Sequence, residues 1–469
     1  MFFILYFFSA KGYVEVSDTA FSIQTAEAIV TRDKLDIPFQ EMGTLKGTDG
    51  LSYSKYGIGL ALYYVPIVAL GHVLSWLTGF PEEHLTGFLI SFANIPFALF
   101  TLYLFGRCLK QLGISLATAN WMVVGLGCGT LCWKYAVYDF SEVMQACLLL
   151  LVFTCVLENT KASILVGGMA LGGLILVKLV HVVFLPVFLL YLFVLPDITW
   201  LQRIRKVALF SVPIGPFILL IAFLNYVRFG SPLESGYGGE ASQFHLTQLW
   251  WTVPSLLCSL DKGLFIFCPI LILEWLGWPA FVRRQPLFAT LCITIILVNL
   301  LLAGAWHSWV GGWSWGPRLL VPAIPLWLLP AAFWLDSPSG QHKKKIIFTG
   351  VLMISVVAQV PGVMIKDQQI HHIKQDVFTP VEREFAAADY PAAWILLWHK
   401  MRKPEIYQVS EFGVQGNREM DLSGYPTFQG QNLWTEHVAR RFNRPFIRWL
   451  PLAGLMAIGF LLFRLERGV

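Results

Sequence analysis

The sequence has 469 residues, of which 56% are hydrophobic and 13% are charged, and its mean hydropathy is +0.62. Because soluble domains carry roughly 25% charged residues, this composition excludes an ordinary soluble protein. The formal net charge is +5, but the basic residues lie at the ends of apolar runs and do not form one basic face. We therefore expect no nucleic-acid partner.

Apolar runs recur along nearly the whole chain and are separated by short polar gaps. A helix needs about 20 apolar residues to cross the hydrocarbon core of a bilayer. Applied loosely, this criterion predicts an all-α polytopic membrane protein with about 12 transmembrane helices. In chain order, the predicted spans are residues 1–10, 84–106, 115–134, 143–157, 162–178, 180–195, 207–227, 264–282, 286–305, 318–335, 346–365 and 446–463.

The further apolar run 57–79 contains Gly57, Gly59, Pro66 and Gly71, which favour an irregular re-entrant or juxtamembrane element over a straight span. If this run does not cross, six basic clusters fall on one side, which the positive-inside rule assigns to the cytoplasm, whereas the basic cluster at 440–448 falls on the outer side. The outer side then holds residues 11–83, 135–142, 228–263, 306–317 and 366–445.

The eight cysteines lie in or beside apolar runs. Cys128 and Cys132 are one helical turn apart, but no histidine or further cysteine lies near them in the sequence. Structural zinc sites use about four such ligands. We therefore interpret the cysteines as packing residues and predict no metal site from them.

Charged residues at the predicted outer boundary are the candidates for chemistry, because a charge near hydrocarbon is costly unless it is paired or used. Asp139 precedes Glu142 by three residues, so we expect the two to share a helical face. The acids are Asp18, Asp139 and Glu142. The basic residues are Lys55, Arg228, Lys262, His307 and Arg318.

Each candidate also has a structural alternative. Asp18 precedes an amphipathic stretch, so it could cap a helix there. Glu142 could pair with Lys134. Cations at a membrane boundary could extend toward lipid headgroups, an interpretation that applies to Lys55, Arg228, Lys178 and His181. The convergence of acids and cations at one boundary favours a functional site over these separate roles.

Residues 306–318 read WHSWVGGWSWGPR, with four tryptophans, three glycines and a terminal arginine. An interfacial aromatic belt explains the tryptophans but requires neither the glycines nor Pro317. Glycines allow tight turns, indole faces can stack on a sugar ring or cover a prenyl chain, and a guanidinium binds phosphate through its planar fork. We therefore predict a binding loop, with Arg318 on the phosphate.

Six segments resemble a known family. They are residues 17–21 (SDTAF), 53–59 (YSKYGIG), 140–142 (FSE), 228–232 (RFGSP), 261–264 (DKGL) and 311–318 (GGWSWGPR). In these segments the chain resembles the GT-C superfamily of polyprenyl-phosphate-sugar-dependent glycosyltransferases, which includes protein O-mannosyltransferases and lipid A aminoarabinose transferases. Two positions depart from the family pattern, since Thr19 stands where many members have a second acid and Ile58 where proline is usual.

The resemblance implies a GT-C bundle of about 12 transmembrane helices with juxtamembrane helices in the first outer loop. The motifs cover most of the chain up to about residue 335 and imply a transmembrane catalytic module at 1–365 with outer loop 11–83. From composition we predict an outer polar segment at 366–445 and a last helix with a cytoplasmic tail at 446–469. The resemblance also places the protein in a bacterial inner membrane with its active site facing the periplasm.

The implied reaction moves a sugar from a polyprenyl-phosphate donor to a hydroxyl of a lipid, glycan or protein acceptor. Asp18 would be the base and Glu142 would assist it. The donor phosphate would be bound by Lys55, Arg228, Lys262 and Arg318. The substrate pocket would be lined by Tyr53, Tyr56, Asp139, Trp306, His307, Trp313 and Trp315. No cofactor is certain, and a divalent metal is doubtful because Thr19 replaces the second acid.

Two other classes of protein fit the composition. A transporter or flippase for lipid-linked sugars also needs apolar helices broken by glycine and proline. A non-catalytic subunit of an envelope-assembly complex would share the same spans. The charges cluster at one boundary and the sequence contains no visible inverted repeat, so we favour the enzyme.

Overall fold

The computed structural model describes residues 1–14, 17–41, 43–365 and 388–402, with short stretches at 433–435, 446–447, 450–451 and 454. Over these residues the chain is mainly helical. The α-helices are α1 (Phe2–Ser9), α2 (Ser17–Arg32), α3 (Ile58–Thr78), α4 (Glu82–Ile90), α5 (Ile95–Gln111), α6 (Leu116–Cys128), α7 (Leu131–Ala136), α8 (Glu142–Glu158), α9 (Lys161–Val177), α10 (Phe184–Phe193), α11 (Trp200–Ser211), α12 (Gly215–Phe229), α13 (Leu249–Cys258), α14 (Leu264–Phe267), α15 (Glu274–Arg284), α16 (Pro286–Ala305), α17 (Ile324–Leu335), α18 (Gln341–Met364) and α19 (Asp389–Arg402).

Short 3-10 helices and one hairpin complete the described structure. The 3-10 helices cover Leu179–Val183, Val212–Ile214, Gly238–Ser242, Leu246–Gln248, Pro269–Leu273 and Arg318–Ala323. The hairpin joins β1 (Thr44–Lys46) and β2 (Ser52–Ser54) as antiparallel strands, with Leu45 opposite Tyr53.

Within the described residues, six stretches are long and apolar enough to cross a membrane. They are Ile58–Thr78, Glu82–Gln111, Trp200–Phe229, Pro286–Ala305, Arg318–Leu335 and Gln341–Met364. Shorter apolar helices of 10–17 residues lie at Leu116–Cys128, Lys161–Val177 and Leu179–Phe193. The prediction of a polytopic α-helical membrane protein is confirmed, whereas the count of about 12 spans stays a prediction.

The run 57–79 is more regular than predicted. Ile58–Thr78 is one continuous α-helix of 21 residues, with a proline inside it. Its first glycines serve close packing, since a Cβ built on Gly57 would lie 2.4 Å from the Val177 carbonyl oxygen and one on Gly59 would lie 2.8 Å from the Val177 nitrogen. The expected irregular element is therefore wrong, because these small residues let α3 approach the end of α9. The juxtamembrane position of α3 stays a prediction.

The expected shared helical face of Asp139 and Glu142 is also wrong. The helix α8 begins at Glu142, and Asp139 lies before it in an irregular turn. The buried Asn94 amide donates to the carbonyl oxygens of Tyr138 and Phe140, each at 2.6 Å. Because these carbonyls are bonded to a side chain, the turn is held by tertiary contacts and does not extend the helix.

The predicted span 264–282 is not one helix. It is divided into α14, the 3-10 turn Pro269–Leu273 and α15. Proline lacks a backbone N–H and restricts the residue before it, so Pro269 favours the break at this point.

Part of the predicted outer polar segment 366–445 packs into the bundle. Its residues 389–402 form α19, and Ala392, Ala393, Leu396 and Leu397 are buried in the main hydrophobic core. This spacing places them on one face of the helix. The rest of the segment lies outside the described residues apart from 433–435, as does most of the predicted last span 446–463.

One end of the bundle gathers four chain segments. The helix α8 packs against α9 and against the 3-10 turn that begins at Arg318, α2 packs along α3, and α3 reaches α9. The first turns of α2 and α8, the last turn of α9 and the Arg318 turn therefore meet. These segments hold the acids and cations that the sequence singled out.

Candidate functional site

Asp18 lies in the first turn of α2, where the helix dipole favours a negative charge. Its Oδ1 accepts a hydrogen bond from the Tyr56 hydroxyl at 2.7 Å, and its Oδ2 pairs with Nη1 of Arg318 at 3.2 Å. Burial and then the charge of Asp18 raise the pKa of Tyr56, so the phenol stays protonated and donates. The carboxylate thus has tertiary partners besides the capping role that its position suggests, and its side chain is still 29% exposed.

Arg318 is placed by the glycine-rich loop before it. Its guanidinium lies 4.2 Å from the centre of the Phe140 ring, a cation–π arrangement, while Nη1 reaches Asp18. Gly311 has φ +72°, and a Cβ there would lie 2.8 Å from Arg318 Cγ. The glycine therefore provides both the left-handed turn and the space for the arginine. Arg318 Nε has no hydrogen-bond partner among the described residues.

Glu142 is the first residue of α8 and is only 2% exposed. Its carboxylate acts electrostatically on Arg318 and on Lys178. Its Oε2 has no hydrogen-bond partner within the described part of the chain. The alternative pairing with Lys134 is not among the described ion pairs, and the Lys134 ammonium lies 3.9 Å from the centre of the Tyr138 ring.

Asp139 takes part in this arrangement through its backbone. Its carbonyl oxygen accepts hydrogen bonds from Thr19 Oγ1 at 2.5 Å and from the Tyr64 hydroxyl at 3.4 Å. The residue itself is 4% exposed. The threonine that replaces the second acid of the family pattern therefore holds the loop before Glu142 in place.

Lys55 and Lys178 approach the same cleft from different segments. Gly57 contacts the end of α9, which Lys178 directly follows, and both Lys178 and Lys55 of the YSKYGIG motif line this cleft. The Lys55 ammonium lies 5.8 Å from the centre of the Tyr56 ring and 5.9 Å from that of Tyr237. No ion pair or side-chain hydrogen bond of Lys178 is present in the described residues.

The cleft between these groups is amphipathic. It is a partly open cleft in which a water-sized molecule can occupy about 30 Å³. The polar part of its lining is formed by Lys55, Tyr56, Lys178, Asn225, Arg228, Ser235 and Tyr237. The apolar part comes from α9, the 3-10 turn after it, α12 and the start of α3, and is formed by Ile58, Ile175, Leu176, Leu179, Ile221 and Leu224.

Arg228 lies at the end of α12 and is 7% exposed. Its Nη1 donates to the Ser54 carbonyl oxygen at 3.2 Å, and its Nη2 donates to Asn225 Oδ1 at 2.9 Å. These bonds fix the hairpin onto α12. Arg228 therefore lines the cleft, but its Nη1 and Nη2 already donate hydrogen bonds within the protein.

Tyr53 faces the hairpin instead of the cleft. Its hydroxyl donates to Asp49 Oδ2 at 2.5 Å, and its ring packs edge-on against Phe229. Burial and then this hydrogen bond raise the pKa of Tyr53 to about 12. Its predicted place in the substrate pocket stays a prediction, and its contacts are those of a residue that holds the hairpin.

Lys262 is buried in a separate arrangement. Its ammonium pairs with Asp389 Oδ2 at 3.2 Å and donates to the Ser314 carbonyl oxygen at 2.5 Å. The backbone nitrogen of Asp389 in turn donates to Asp261 Oδ1 at 3.0 Å. Lys262 thus links the loop 306–318 to α19. Its predicted contact with donor phosphate stays a prediction.

The four predicted aromatic residues of the loop do not form one surface. Trp315 is 1% exposed and packs against Phe267, whereas Trp313 is 49% exposed. Trp306 stacks on His307 with ring centres 4.3 Å apart. In this loop Trp315 is therefore buried in the core, and Trp306 and His307 form a separate stacked pair. The prediction that these aromatic residues line one sugar-binding pocket stays a prediction.

Two residues of this region were not among the predicted site residues. Lys178 ends a long apolar run, and the sequence pattern offered headgroup contact as its explanation. Asp389 lies in the polar segment, where one acid among several carries no signal. Only the packing of α3 on α9 and of α19 on the core brings them to these positions.

No group of three or more histidine, cysteine, aspartate or glutamate side chains suited to a metal ion occurs in the described part of the chain. The expectation that a divalent metal is doubtful stays a prediction. Because Thr19 bonds to the Asp139 carbonyl, position 19 supplies a hydroxyl where a metal-binding pair would need a second carboxylate.

Two solved structures are similar to this chain. ArnT from Cupriavidus metallidurans bound to undecaprenyl phosphate has a TM-score of 0.53 and 16% sequence identity, over 88% of this chain and 81% of that one. The Archaeoglobus fulgidus oligosaccharyltransferase in the apo form has a TM-score of 0.50 and 11% identity, over 80% of this chain and 56% of that one. No protein-family model matches the sequence, and no curated protein matches it at a significant level. Both neighbours belong to the GT-C superfamily, and the fold of this chain is the GT-C fold.

Proposed function

We propose that this GT-C chain is a glycosyltransferase that moves a sugar from a polyprenyl-phosphate donor to an acceptor hydroxyl at the outer face of the membrane. The observation that carries the proposal is the amphipathic cleft, where Lys55, Lys178 and Arg228 stand next to an apolar wall formed by α9 and α12. A phosphate on a prenyl chain has this combination of a charged end and an apolar tail. The bound lipid named for the similar ArnT structure has the same chemistry.

The cations stabilise the leaving group. As the acceptor oxygen attacks the anomeric carbon, the bond from that carbon to the phosphate oxygen breaks and the electron pair leaves on the polyprenyl phosphate. Fixed positive groups near this oxygen lower the barrier, because they meet the charge where it develops. Lys178 is the best placed, since no described ion pair neutralises it.

Asp18 is the proposed base. In the free protein its two oxygens are engaged by Tyr56 and Arg318. A donor phosphate attracts the guanidinium of Arg318, which frees one carboxylate oxygen to take the proton of the acceptor hydroxyl. A single displacement of this kind inverts the anomeric configuration. Glu142, at 2% exposure, holds Arg318 and Lys178 by its charge and assists the base.

We place the reaction at the periplasmic face of a bacterial inner membrane. If α3 lies at the membrane boundary without crossing, the positive-inside rule assigns the loops that carry these residues to the non-cytoplasmic side. The acceptor is a hydroxyl of a lipid, a glycan or a protein. The cations and the apolar wall of the cleft concern the donor, so the acceptor is to be identified by experiment.

Undecaprenyl phosphate is the probe for the donor site. We expect purified protein in nanodiscs to bind it, and we expect Lys178→Ala to weaken binding at least ~10-fold, about 1.4 kcal/mol. Lys110→Ala is the matched control, because Lys110 is exposed at the end of α5. A wild-type protein without affinity for this lipid, or equal affinity in both variants, contradicts the assignment of the cleft.

Asp18→Asn tests the chemistry with a panel of undecaprenyl-phosphate sugars. We expect transfer to be lost while undecaprenyl phosphate still binds, because the amide cannot accept the proton. Normal transfer by this variant would rule out Asp18 as the base. In sealed proteoliposomes, passage of the lipid-linked sugar across the membrane without transfer would favour the transporter instead.

A further inference from the structure

His181 and Gln145 form a buried contact next to the proposed site. His181 lies in the 3-10 turn that follows Lys178, and Gln145 lies in the first turns of α8. The two side chains are 2% and 1% exposed, and His181 Nε2 is 2.6 Å from Gln145 Oε1. The imidazole also stacks on the Phe184 ring, with centres 5.6 Å apart.

This contact continues to the residue before Glu142. Gln145 Nε2 donates to Ser141 Oγ at 2.7 Å, and Ser141 is the N-cap residue of α8. At the other end, the His181 backbone nitrogen donates to the Lys178 carbonyl oxygen at 3.1 Å. One chain of hydrogen bonds therefore runs from the turn that carries Lys178 to the turn that carries Glu142.

The directions of these bonds define the state of the imidazole. With Gln145 oriented so that its amide nitrogen donates to Ser141, its oxygen accepts, and His181 then carries a proton on Nε2. His181 Nδ1 is buried and has no hydrogen-bond partner among the described residues. A second proton on the ring would place a further positive charge beside Lys178 without an acceptor for it.

We infer that His181, Gln145 and Ser141 form a neutral bridge that positions Lys178 against Glu142. The inference rests on the proposed function, because it assigns these residues a task in arranging the donor-phosphate site. A bridge without net charge keeps the spacing of the two helices fixed and leaves the charges of Lys178 and Glu142 for the substrate. None of the three residues contacts the reacting atoms, so they are positioning residues.

Gln145→Leu removes the bridge while keeping a side chain of similar volume. We expect roughly 10-fold to 100-fold lower kcat/KM for sugar transfer and weaker binding of undecaprenyl phosphate, because a small misplacement of a phosphate-binding group costs rate on this scale. Thr154→Val is the control on the same helix, since Thr154 is 2% exposed and its hydroxyl contacts the Leu150 carbonyl and the Cys108 side chain, not the bridge.

Gln145→Glu tests the neutrality of the bridge. The carboxylate still accepts from His181 but favours a second proton on the ring, so we expect partial recovery of transfer with a pH profile that gains a new limb near neutrality. If Gln145→Leu behaves like Thr154→Val, or if Gln145→Glu has the wild-type pH profile, the inference is overturned.

A spectroscopic measurement separates this inference from the proposed function. The difference between ¹⁵N spectra of wild type and His181→Phe isolates the signals of this ring, and we expect a neutral imidazole with its proton on Nε2. A cationic ring or the other tautomer contradicts the bridge whatever the activity. If wild type transfers no sugar while this tautomer and undecaprenyl phosphate binding are present, the proposed function fails and the bridge stands.

Discussion

Arg318 lies where three segments distant in the chain meet. Its guanidinium contacts Asp18 of α2 and Phe140 of the loop before α8, and its stem passes over Gly311. A charged group in such a position has few rotamers that keep all of these contacts. The proposed exchange of Asp18 for a donor phosphate therefore depends on how exactly this side chain is held.

Gly311→Ala tests that dependence. The residue has φ +72°, and its Cβ would lie 2.8 Å from Arg318 Cγ, so we expect the arginine to be displaced as well as the turn to be strained, at a cost of roughly 1–2 kcal/mol. Affinity for undecaprenyl phosphate and transfer rate should both fall. Gly312→Ala is the control, because it has φ +69° but no atom within 4 Å of its Cβ. Equal loss in both variants would mean that backbone strain alone is responsible.

At the scale of elements, the packing of α3 on α9 determines the cleft. The YSKYGIG motif begins in the hairpin and ends in the first turn of α3. The position of its lysine therefore depends on the position of that turn. Backbone-to-backbone contact at Gly57 and Gly59 sets this placement. The motif thus combines a phosphate-binding candidate with the small residues that position it.

Gly57→Ala is expected to separate the two elements. The added Cβ would lie 2.4 Å from the Val177 carbonyl oxygen, and backbone atoms cannot move aside as a flexible side chain can. We expect the affinity for undecaprenyl phosphate to fall together with the melting temperature. Gly350→Ala, in α18 with no atom within 4 Å, should leave binding unchanged and stability equal or higher. Wild-type binding in Gly57→Ala would contradict this role.

The helix α2 carries a titratable group as well as Asp18. Burial, and then the negative charges of Glu82 and Glu83, raise the pKa of Glu27 to about 7. A carboxyl whose pKa is higher in the folded state stabilises the fold below its unfolded pKa of about 4.5, and this contribution is lost as the pH rises to about 7. Since Glu27 is only partly buried, solvent reduces the effect.

We therefore expect Glu27→Gln to raise the melting temperature relative to wild type at pH 8 and to have little effect at pH 4.5. A thermal unfolding series across this pH range measures the difference. Thr31→Val, one turn further along α2, is the control, because the Thr31 hydroxyl is exposed and bonds only to the Glu27 carbonyl. A gain that does not depend on pH would contradict the titration of Glu27.

At the scale of the whole molecule, α19 joins a distant part of the chain to the bundle. Its buried face enters the main core, and Asp389 pairs with Lys262, which also holds the tryptophan loop through Ser314. The stability of the protein and the conformation of the loop 306–318 therefore both depend on the ion pair between Lys262 and Asp389. The segment predicted as an outer polar segment therefore contributes one helix to the bundle.

Asp389→Asn is expected to destabilise the protein, because breaking a buried ion pair costs roughly 3–5 kcal/mol when one charge is left behind. The loss should appear as a lower melting temperature and faster proteolysis. The double variant Lys262→Met with Asp389→Leu should recover part of the stability, since no single charge then stays buried. If Asp389→Asn melts at the wild-type temperature, the ion pair does not contribute to stability on this scale.

Composition and local sequence pattern were enough to predict a polytopic helical membrane protein and to single out its charged and glycine-rich segments. Apolar length and the cost of charge near hydrocarbon are local properties, and they can be read from adjacent residues. The GT-C resemblance rested on short motifs of the same local kind.

The tertiary structure alone decided which charges meet. The contact of Asp18 with Arg318 joins residues 300 positions apart, and the pairing of Lys262 with Asp389 and the place of Lys178 at the cleft depend equally on how helices pack. Ion pairing is a property of distance in space, and neither Lys262 nor Lys178 has a sequence context that shows which groups the fold brings beside it.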